Sequence, residues 1–100
     1  MEEKFVPGRL VSSVAGRDAG KFYLVFNKLS PNFVQVVNGR ERKLSSPKKK
    51  NIKHLKIYPE IAKEIVDKKN AGRKISDLDL KKALEKLLFE IQGVHNKHFV

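Results

Sequence analysis

Short apolar runs separated by turn residues dominate the first 58 residues of the chain. The pattern predicts five β-strands, which we place at about 9–15, 21–27, 33–37, 40–44 and 55–58. The run from Phe22 to Phe26 is apolar at every position, which is typical of a strand buried on both faces in a small closed sheet. The pattern therefore indicates a mainly β fold, a five-stranded antiparallel barrel.

Glycine-containing turns connect these predicted strands. Gly16 and Gly20 bracket the loop between the first two strands, and both can take a positive φ angle, so the backbone there can turn sharply and approach a ligand closely. The dipeptide Asn38-Gly39 predicts a two-residue hairpin leading into a fourth strand at 40–44. A loop and one 3₁₀ turn at 51–54 then lead to the fifth strand.

The period of the apolar positions changes after Pro59. Residues 60–69 predict a helix with Pro59 near its first turn, and a second helix begins at the N-cap Ser76 and ends at Gly93. Both helices carry an apolar stripe, so we expect them to pack together and onto the barrel. The predicted organisation is a barrel over residues 1–58 and a helical tail over 59–100 that packs on the barrel or on a partner.

The charge is concentrated in the barrel. The formal net charge is +11, and residues 1–58 hold 13 Lys and Arg against four Asp and Glu, whereas residues 59–100 hold nine against seven. Such a balance points to a polyanion: RNA, DNA, anionic lipid or an acidic protein surface. The chain has no cysteine, no signal-peptide pattern and no apolar run long enough to cross a membrane, so we expect a cytoplasmic protein with no membrane partner.

Candidate phosphate contacts follow from the position of the cations. Arg17 and Lys21 lie in the glycine-bracketed loop, and eight more cations lie between Asn38 and Tyr58 against a single acid: Arg40, Arg42, Lys43, Lys48, Lys49, Lys50, Lys53 and Lys56. The alternative is a plain hairpin beside a solvated lysine face. Aromatic residues of such strands usually belong to the core. Tyr23 and Tyr58 are the better candidates for stacking on bases, because their hydroxyls favour the surface.

Signals for catalysis or metal binding are weak. Asp77 and Asp79 are acids of a helix start rather than a catalytic pair, and the chain has no nucleophile–base arrangement and no phosphate-binding P-loop. His95 and His98 have a spacing seen among metal ligands, but no third ligand is evident. We therefore expect no enzyme, no metal and no cofactor.

The first strand–loop–strand carries a resemblance to a known family. Gly8, Val11, Gly16, Ala19-Gly20-Lys21 and Val25 resemble a KOW motif. Together with 15–21, 32–37 and 47–55, they are similar to the fourteenth large-subunit ribosomal protein family of archaea and eukaryotes, and more closely to its small bacterial ribosomal-protein-like relatives. The glycine that many KOW motifs carry shortly after Gly20 is absent here, and the helical tail is longer than expected.

The resemblance implies an SH3-like barrel that binds structured RNA, with ribosomal RNA as the expected ligand. The family's RNA-contacting loop maps onto Gly16, Arg17, Asp18, Gly20 and Lys21, and its basic segment maps onto Lys48, Lys49, Lys50 and Lys53. With Arg40, Arg42 and Lys43 from the charge pattern, these residues make the candidate RNA-binding set.

The sequence thus favours a non-catalytic, ribosome-associated RNA-binding protein, with ribosomal proteins as further partners. The alternative is a protein-interaction module of the transcription or translation machinery that uses the barrel surface or the tail. A monomer and a dimer through the tail helices both remain open.

Overall fold

The computed structural model describes the backbone of residues 4–97 and the side chains of residues 4–92. The chain forms five strands, one turn of 3₁₀ helix and two α-helices. In chain order they are β1 (Arg9–Ser13), β2 (Phe22–Ser30), β3 (Phe33–Val37), β4 (Lys48–Asn51), the 3₁₀ turn (Ile52–His54), β5 (Leu55–Ile61), α1 (Lys63–Asn70) and α2 (Asp77–Lys97). Within residues 4–97, no helix has the length and apolar character needed to cross a membrane.

The strands form one antiparallel sheet in the order β4-β3-β2-β1-β5. The predicted mainly β fold, with five antiparallel strands followed by two helices, is confirmed. Strand β1 is paired on both sides: Val11 lies opposite Tyr23 of β2 and opposite Ile57 of β5. Strands β4 and β5 are the two edges, and in the described part of the chain no ladder joins them to each other.

Irregular pairing bends this sheet. The register shifts twice between β2 and β3, between Val25 and Asn27 and again between Lys28 and Ser30. Bulges of this kind increase the local twist and bend the strand. Just beyond the Ser13–Leu55 pair of the β1–β5 ladder, the Val14 amide donates to the His54 carbonyl at 2.9 Å.

Both faces of the sheet are buried, which explains why the first part of β2, residues 22–26, is apolar at every position. Adjacent residues along a strand point to opposite faces. One face packs Val11, Tyr23, Val25, Val34 and Val36 into the inner cluster. The other face presents Leu10, Leu24 and Val37 to the helices.

The helices share a core with the sheet. Ile65 of α1 and four residues of α2 pack into one cluster with the outward-facing sheet residues; the α2 members are Leu80, Ala83, Leu84 and Leu87. Each buried aliphatic side chain contributes about 1.5–3 kcal/mol. The segment after residue 58 therefore covers a sheet face that would otherwise expose apolar side chains to water.

The predicted hairpin at Asn38-Gly39 is wrong. No non-glycine residue among those described has a positive φ, so Asn38 does not take the angle that the two-residue turn requires. Instead, its side-chain oxygen accepts hydrogen bonds from the Arg40 and Arg42 amides, and residues 38–47 form a loop, not a strand. Gly39 lies against α2, where an added Cβ would collide with the Asp77 carbonyl. Tertiary packing against α2 thus overrides the local turn preference, and the fourth strand forms later, at Lys48–Asn51.

The element ends also differ from expectation around Pro59. Strand β5 continues through Pro59 to Ile61, which pairs with Arg9, so α1 begins only at Lys63. Proline is tolerated there because β5 is an edge strand and the register shifts at that point. The second helix does not end at Gly93 but continues to Lys97.

Candidate nucleic-acid interface

The loop between β1 and β2, residues 14–21, is a compact turn that we call the glycine loop. Gly16 has a φ of 81° and Gly20 a φ of 91°, angles that L side chains rarely adopt. The Gly20 amide donates to the Ser13 carbonyl at 2.8 Å, and the Lys21 amide donates to the Asp18 carbonyl at 2.9 Å. The turn leaves the side chains of Arg17 and Lys21 exposed to solvent.

The Asp18 carboxylate holds the glycine loop against the neighbouring strands. Its Oδ1 accepts from Ser13 Oγ at 2.8 Å and from Lys50 Nζ at 3.2 Å. Its Oδ2 accepts from the Tyr23 hydroxyl at 2.8 Å and lies 3.3 Å from Lys48 Nζ. We call these five residues the Asp18 cluster. It ties the glycine loop to β1, β2 and β4.

The protonation states in the cluster follow from these contacts. Burial alone would raise the pKa of Asp18, but hydrogen bonds from Ser13, Tyr23, Lys50 and Lys48 outweigh it and hold that pKa well below its usual value. The pKa of the Tyr23 hydroxyl is raised, first by burial and then by its hydrogen bond to the Asp18 carboxylate. At neutral pH the cluster therefore holds a charged carboxylate and a neutral phenol.

Two residues of the sequence-based candidate set are consequently in the interior. Asp18 and Lys50 are each only 7% exposed, and each is the other's ion-pair partner. Both side chains are therefore engaged with each other inside the cluster rather than presented to solvent. Lys48, whose side chain is 30% exposed, bonds Asp18 with its ammonium at the margin of the surface.

The loop 38–47, which we call the basic loop, lies beside the glycine loop. Lys21 Nζ is 3.2 Å from Glu41 Oε1, and the two loops line a cavity of about 260 Å³ that includes Gly20, Lys21, Arg40 and Glu41. Arg42 is close enough for its positive charge to act on the Tyr23 hydroxyl, where it opposes the rise in pKa. The glycine loop, the basic loop and the start of β4 therefore adjoin one another.

Lys53 borders the same region. It lies exposed on the 3₁₀ turn, whose last residue, His54, bonds the first amide of the glycine loop. We call the resulting set of exposed and half-exposed cations the basic surface: Arg17, Lys21, Arg42, Lys43, Lys48 and Lys53. Residues 4–58 contain only two acids. Asp18 is buried and ion-paired, so Glu41 is the one exposed acid that residues 4–58 place beside this surface, while α2 brings Asp77 and Glu85 to the basic loop.

Other candidate cations point elsewhere. The Arg40 guanidinium bonds Glu85 of α2 at 2.9 Å. Lys49 points away from the Asp18 cluster, because its neighbours Lys48 and Lys50 occupy the opposite face of β4. Its ammonium lies 4.5 Å from the centre of the Phe33 ring, a cation–π contact.

Some aromatic residues of the strands lie in the core and others nearer the surface, and the sequence did not indicate which of them lie where. Tyr23, one of the two candidates for a surface position, instead belongs to the core: it is only 2% exposed and its hydroxyl donates to Asp18. Tyr58 is half-buried, with its hydroxyl 3.1 Å from Ser12 Oγ and its ring 5.5 Å from that of Phe22. The sequence signal for the role of Asp18 was present but local: it is a lone acid between two glycines in a basic segment.

No metal or cofactor position emerges from the described residues. Within them, no group of three or more His, Cys, Asp or Glu side chains is arranged to hold a metal ion. The side chains of His95 and His98 fall outside the described residues, so the expectation about them stays a prediction. No known protein-family model matches the chain.

Proposed function

We propose that this protein is a non-catalytic RNA-binding protein that contacts the phosphates of structured RNA through the basic surface. One observation carries the proposal. The Asp18 cluster neutralises the only acid of the glycine loop internally and holds that loop against β4, beside the basic loop. In this proposal the exposed cations of these adjoining segments contact one RNA ligand together.

The physical basis is counterion release. Each lysine or arginine that contacts a phosphate displaces a condensed counterion, which makes binding favourable and strongly dependent on salt. Arginine can in addition bond a phosphate with two donors, whereas lysine acts as a point charge. Most of the cations of the basic surface are on the loops and the 3₁₀ turn that connect the strands, and phosphate contacts from such positions suit recognition of RNA by shape and backbone rather than by base sequence.

The strand order supports the proposal that the sheet is an SH3-like barrel of the KOW type. The two edge strands follow each other in the chain and are joined by a single 3₁₀ turn, so curling the sheet brings them together. We propose ribosomal RNA as the ligand and the cytoplasm as the location, in keeping with the resemblance of the glycine loop to the ribosomal-protein-like family.

A charge-matched pair of triple variants tests the proposal. The first combines Arg17→Ala, Lys43→Ala and Lys53→Ala, which are exposed and lie outside the Asp18 cluster. The control combines three exposed helix-side residues, Lys63→Ala, Lys74→Ala and Lys82→Ala, and removes the same charge.

Fluorescence anisotropy with a labelled stem–loop of ribosomal RNA measures both affinities. We expect the first variant to bind at least about tenfold more weakly than wild type and the control to change by less than about threefold. Equal losses in the two variants, or none in either, would exclude the basic surface as the binding site.

A further inference from the structure

Phe33 differs from the other aromatic residues of the strands. Phe22, Phe26 and Tyr58 pack against the cluster shared with the helices, and Tyr23 is part of the inner cluster. Of the five aromatic residues in the described strands, Phe33 alone belongs to neither cluster. Its half-exposed ring contacts the ammonium of Lys49, which is itself exposed. The core therefore does not account for an aromatic ring at this position.

Polar groups continue from Phe33 across the same face of the sheet. Lys49 of β4 pairs with Gln35 of β3, and the Gln35 side-chain oxygen accepts from the Asn27 amide of β2 at 3.2 Å. The Asn27 side-chain oxygen lies 3.4 Å from the ammonium of Lys69 on α1. A ring, two amides and two ammonium groups thus lie side by side, on the face of β4 opposite to the Asp18 cluster.

We propose that Phe33 is a stacking platform for an unpaired base of the bound RNA, with Lys49 contacting the phosphate next to that base. This inference rests on the proposed function and adds to it a preference for bulged or looped RNA. Every base has a π-face that can stack on a phenyl ring, whatever the sequence. The amides of Gln35 and Asn27 supply hydrogen-bonding groups at the edge of the platform.

The relative strengths of the cation–π contact and of base stacking favour displacement of the Lys49 ammonium from the Phe33 ring by an RNA base. An exposed cation–π contact such as that of Lys49 with Phe33 is worth about twofold to fivefold in an equilibrium constant. Stacking of one base on an aromatic ring is worth about fivefold to hundredfold. A base can therefore displace the lysine from the ring, and the released ammonium is then free to bind phosphate.

The position of β4 connects the platform with the basic surface. β4 is an edge strand, and among the described residues no ladder joins it to β5, so a ligand can reach side chains on both of its faces. Lys48 and Lys49 are consecutive and face opposite sides of that edge. One RNA backbone crossing the edge would contact the basic surface with its paired part and the platform with its unpaired nucleotide.

The first test uses the wild-type protein. A ribosomal RNA stem–loop carrying 5-iodouridine as a single-nucleotide bulge is irradiated in the complex, and the crosslinked tryptic peptides are identified by mass spectrometry. We expect the crosslink on peptide 29–40, in which Phe33 is the only aromatic residue. A crosslink confined to other peptides overturns the proposed platform, and it does so independently of whether the basic surface binds RNA.

The second test compares Phe33→Leu, Phe33→Trp and the control Phe89→Leu, which removes a half-exposed ring of α2. The probes are the same stem with a 2-aminopurine bulge and its fully paired counterpart. We expect wild type, Phe33→Trp and Phe89→Leu to quench the bulge fluorescence and to prefer the bulged RNA by about fivefold or more. Phe33→Leu should bind the paired stem as wild type does, without quenching or preference.

The outcomes separate the two proposals. Wild type that binds both RNAs equally and without quenching overturns the platform and leaves the basic surface standing. Phe33→Leu that keeps the preference also overturns the platform. Wild type that binds neither RNA overturns the proposed function and the platform with it. If Phe33→Leu does not fold, as judged by thermal unfolding, the wild-type crosslink decides.

Discussion

Replacing Lys50 by methionine removes one partner of a buried ion pair while keeping a side chain of similar length. Asp18 would then retain the Ser13 and Tyr23 hydroxyls and the partly solvated ammonium of Lys48. Breaking a buried pair in this way typically costs about 3–5 kcal/mol, because a charge is left buried with too few partners. Since three contacts to Asp18 survive, we expect a loss near 3 kcal/mol in the free energy of unfolding.

Lys48→Met is the matched control. Both lysines are on the same face of β4 and both contact Asp18, but the Lys48 side chain is 30% exposed and that of Lys50 only 8%. A partly solvated pair contributes at most about 1 kcal/mol. For a domain of this size, about 3 kcal/mol lowers the melting temperature by roughly 12–24 °C, so the two variants are easily distinguished.

A double-mutant cycle compares the unfolding free energies of wild type, Lys50→Met, Asp18→Asn and the double variant. Urea unfolding followed by circular dichroism measures each of them. Because the double variant buries neither charge, its loss should fall short of the summed single losses by about 2 kcal/mol or more. A loss for Lys50→Met within about 0.5 kcal/mol of that for Lys48→Met, or a cycle that is additive within that margin, would refute the role assigned to the cluster.

The same carboxylate gives the stability a pH dependence with a defined sign. The pKa of Asp18 is lowered in the folded protein, whereas in the unfolded chain it is about 3.9. Its contribution is therefore fully present above that value and is lost as the pH falls through the lowered folded pKa. We expect the difference in unfolding free energy between wild type and Asp18→Asn to be constant from pH 7 to pH 5 and to shrink below pH 4. A difference that grows on acidification would contradict the sign.

Other predictions concern packing and the lysine triplet. Replacing all three lysines of 48–50 by alanine should lower the melting temperature sharply, because Lys48 and Lys50 contact Asp18. A loss of RNA binding in that variant therefore reports unfolding, and circular dichroism at the assay temperature shows whether the variant is folded. Gly39→Ala should lower the free energy of unfolding by more than about 3 kcal/mol, because the added Cβ would meet the α2 backbone. Gly20→Ala should lower it by only about 1–2 kcal/mol, from φ strain alone, because nothing lies within 4 Å of the added Cβ. Equal losses of the two variants in urea unfolding would contradict this difference. Leu84→Ala should cost about 2–5 kcal/mol if α2 and the sheet share a core, and a loss below 1 kcal/mol in the same assay would contradict that packing.

The apolar pattern was sufficient for most of the fold. Short apolar runs bounded by turn residues located strands β1, β2, β3 and β5, and a period of 3.6 residues located both helices, because burial of a strand or of one helix face imposes those patterns on the sequence. The fourth strand was misplaced since its lysines have weak strand propensity, while Asn38-Gly39 is a strong local hairpin signal. Contacts of Gly39 and Leu44 with Asp77 at the start of α2 determine the loop there, and no local pattern reports contacts over such a separation.

The candidate site was predictable in composition but not in geometry. The charge count located the cations, yet which of them face solvent depends on the strand assignment. Successive side chains of a strand point to opposite faces. Because Lys48–Asn51 is a strand, Lys49 lies on the face opposite to that of Lys48 and Lys50. The pairing of Asp18 with Lys50 across the sheet, and the position of Phe33 outside both clusters, follow from how the sheet bends. That bending arises from bulges, which leave little trace in the sequence.

The salt dependence of RNA binding shows whether the basic surface contacts RNA phosphates. If about five phosphates are engaged, a plot of log affinity against log salt concentration for wild type should have a slope of about −3.5 to −4.5. The triple variant of Arg17, Lys43 and Lys53 should reduce the steepness by about 2 or more, and the helix-side control should leave it unchanged. A wild-type slope flatter than about −1, as expected of an apolar protein–protein contact, or a slope equally steep in the triple variant, would contradict a basic surface that binds the RNA backbone.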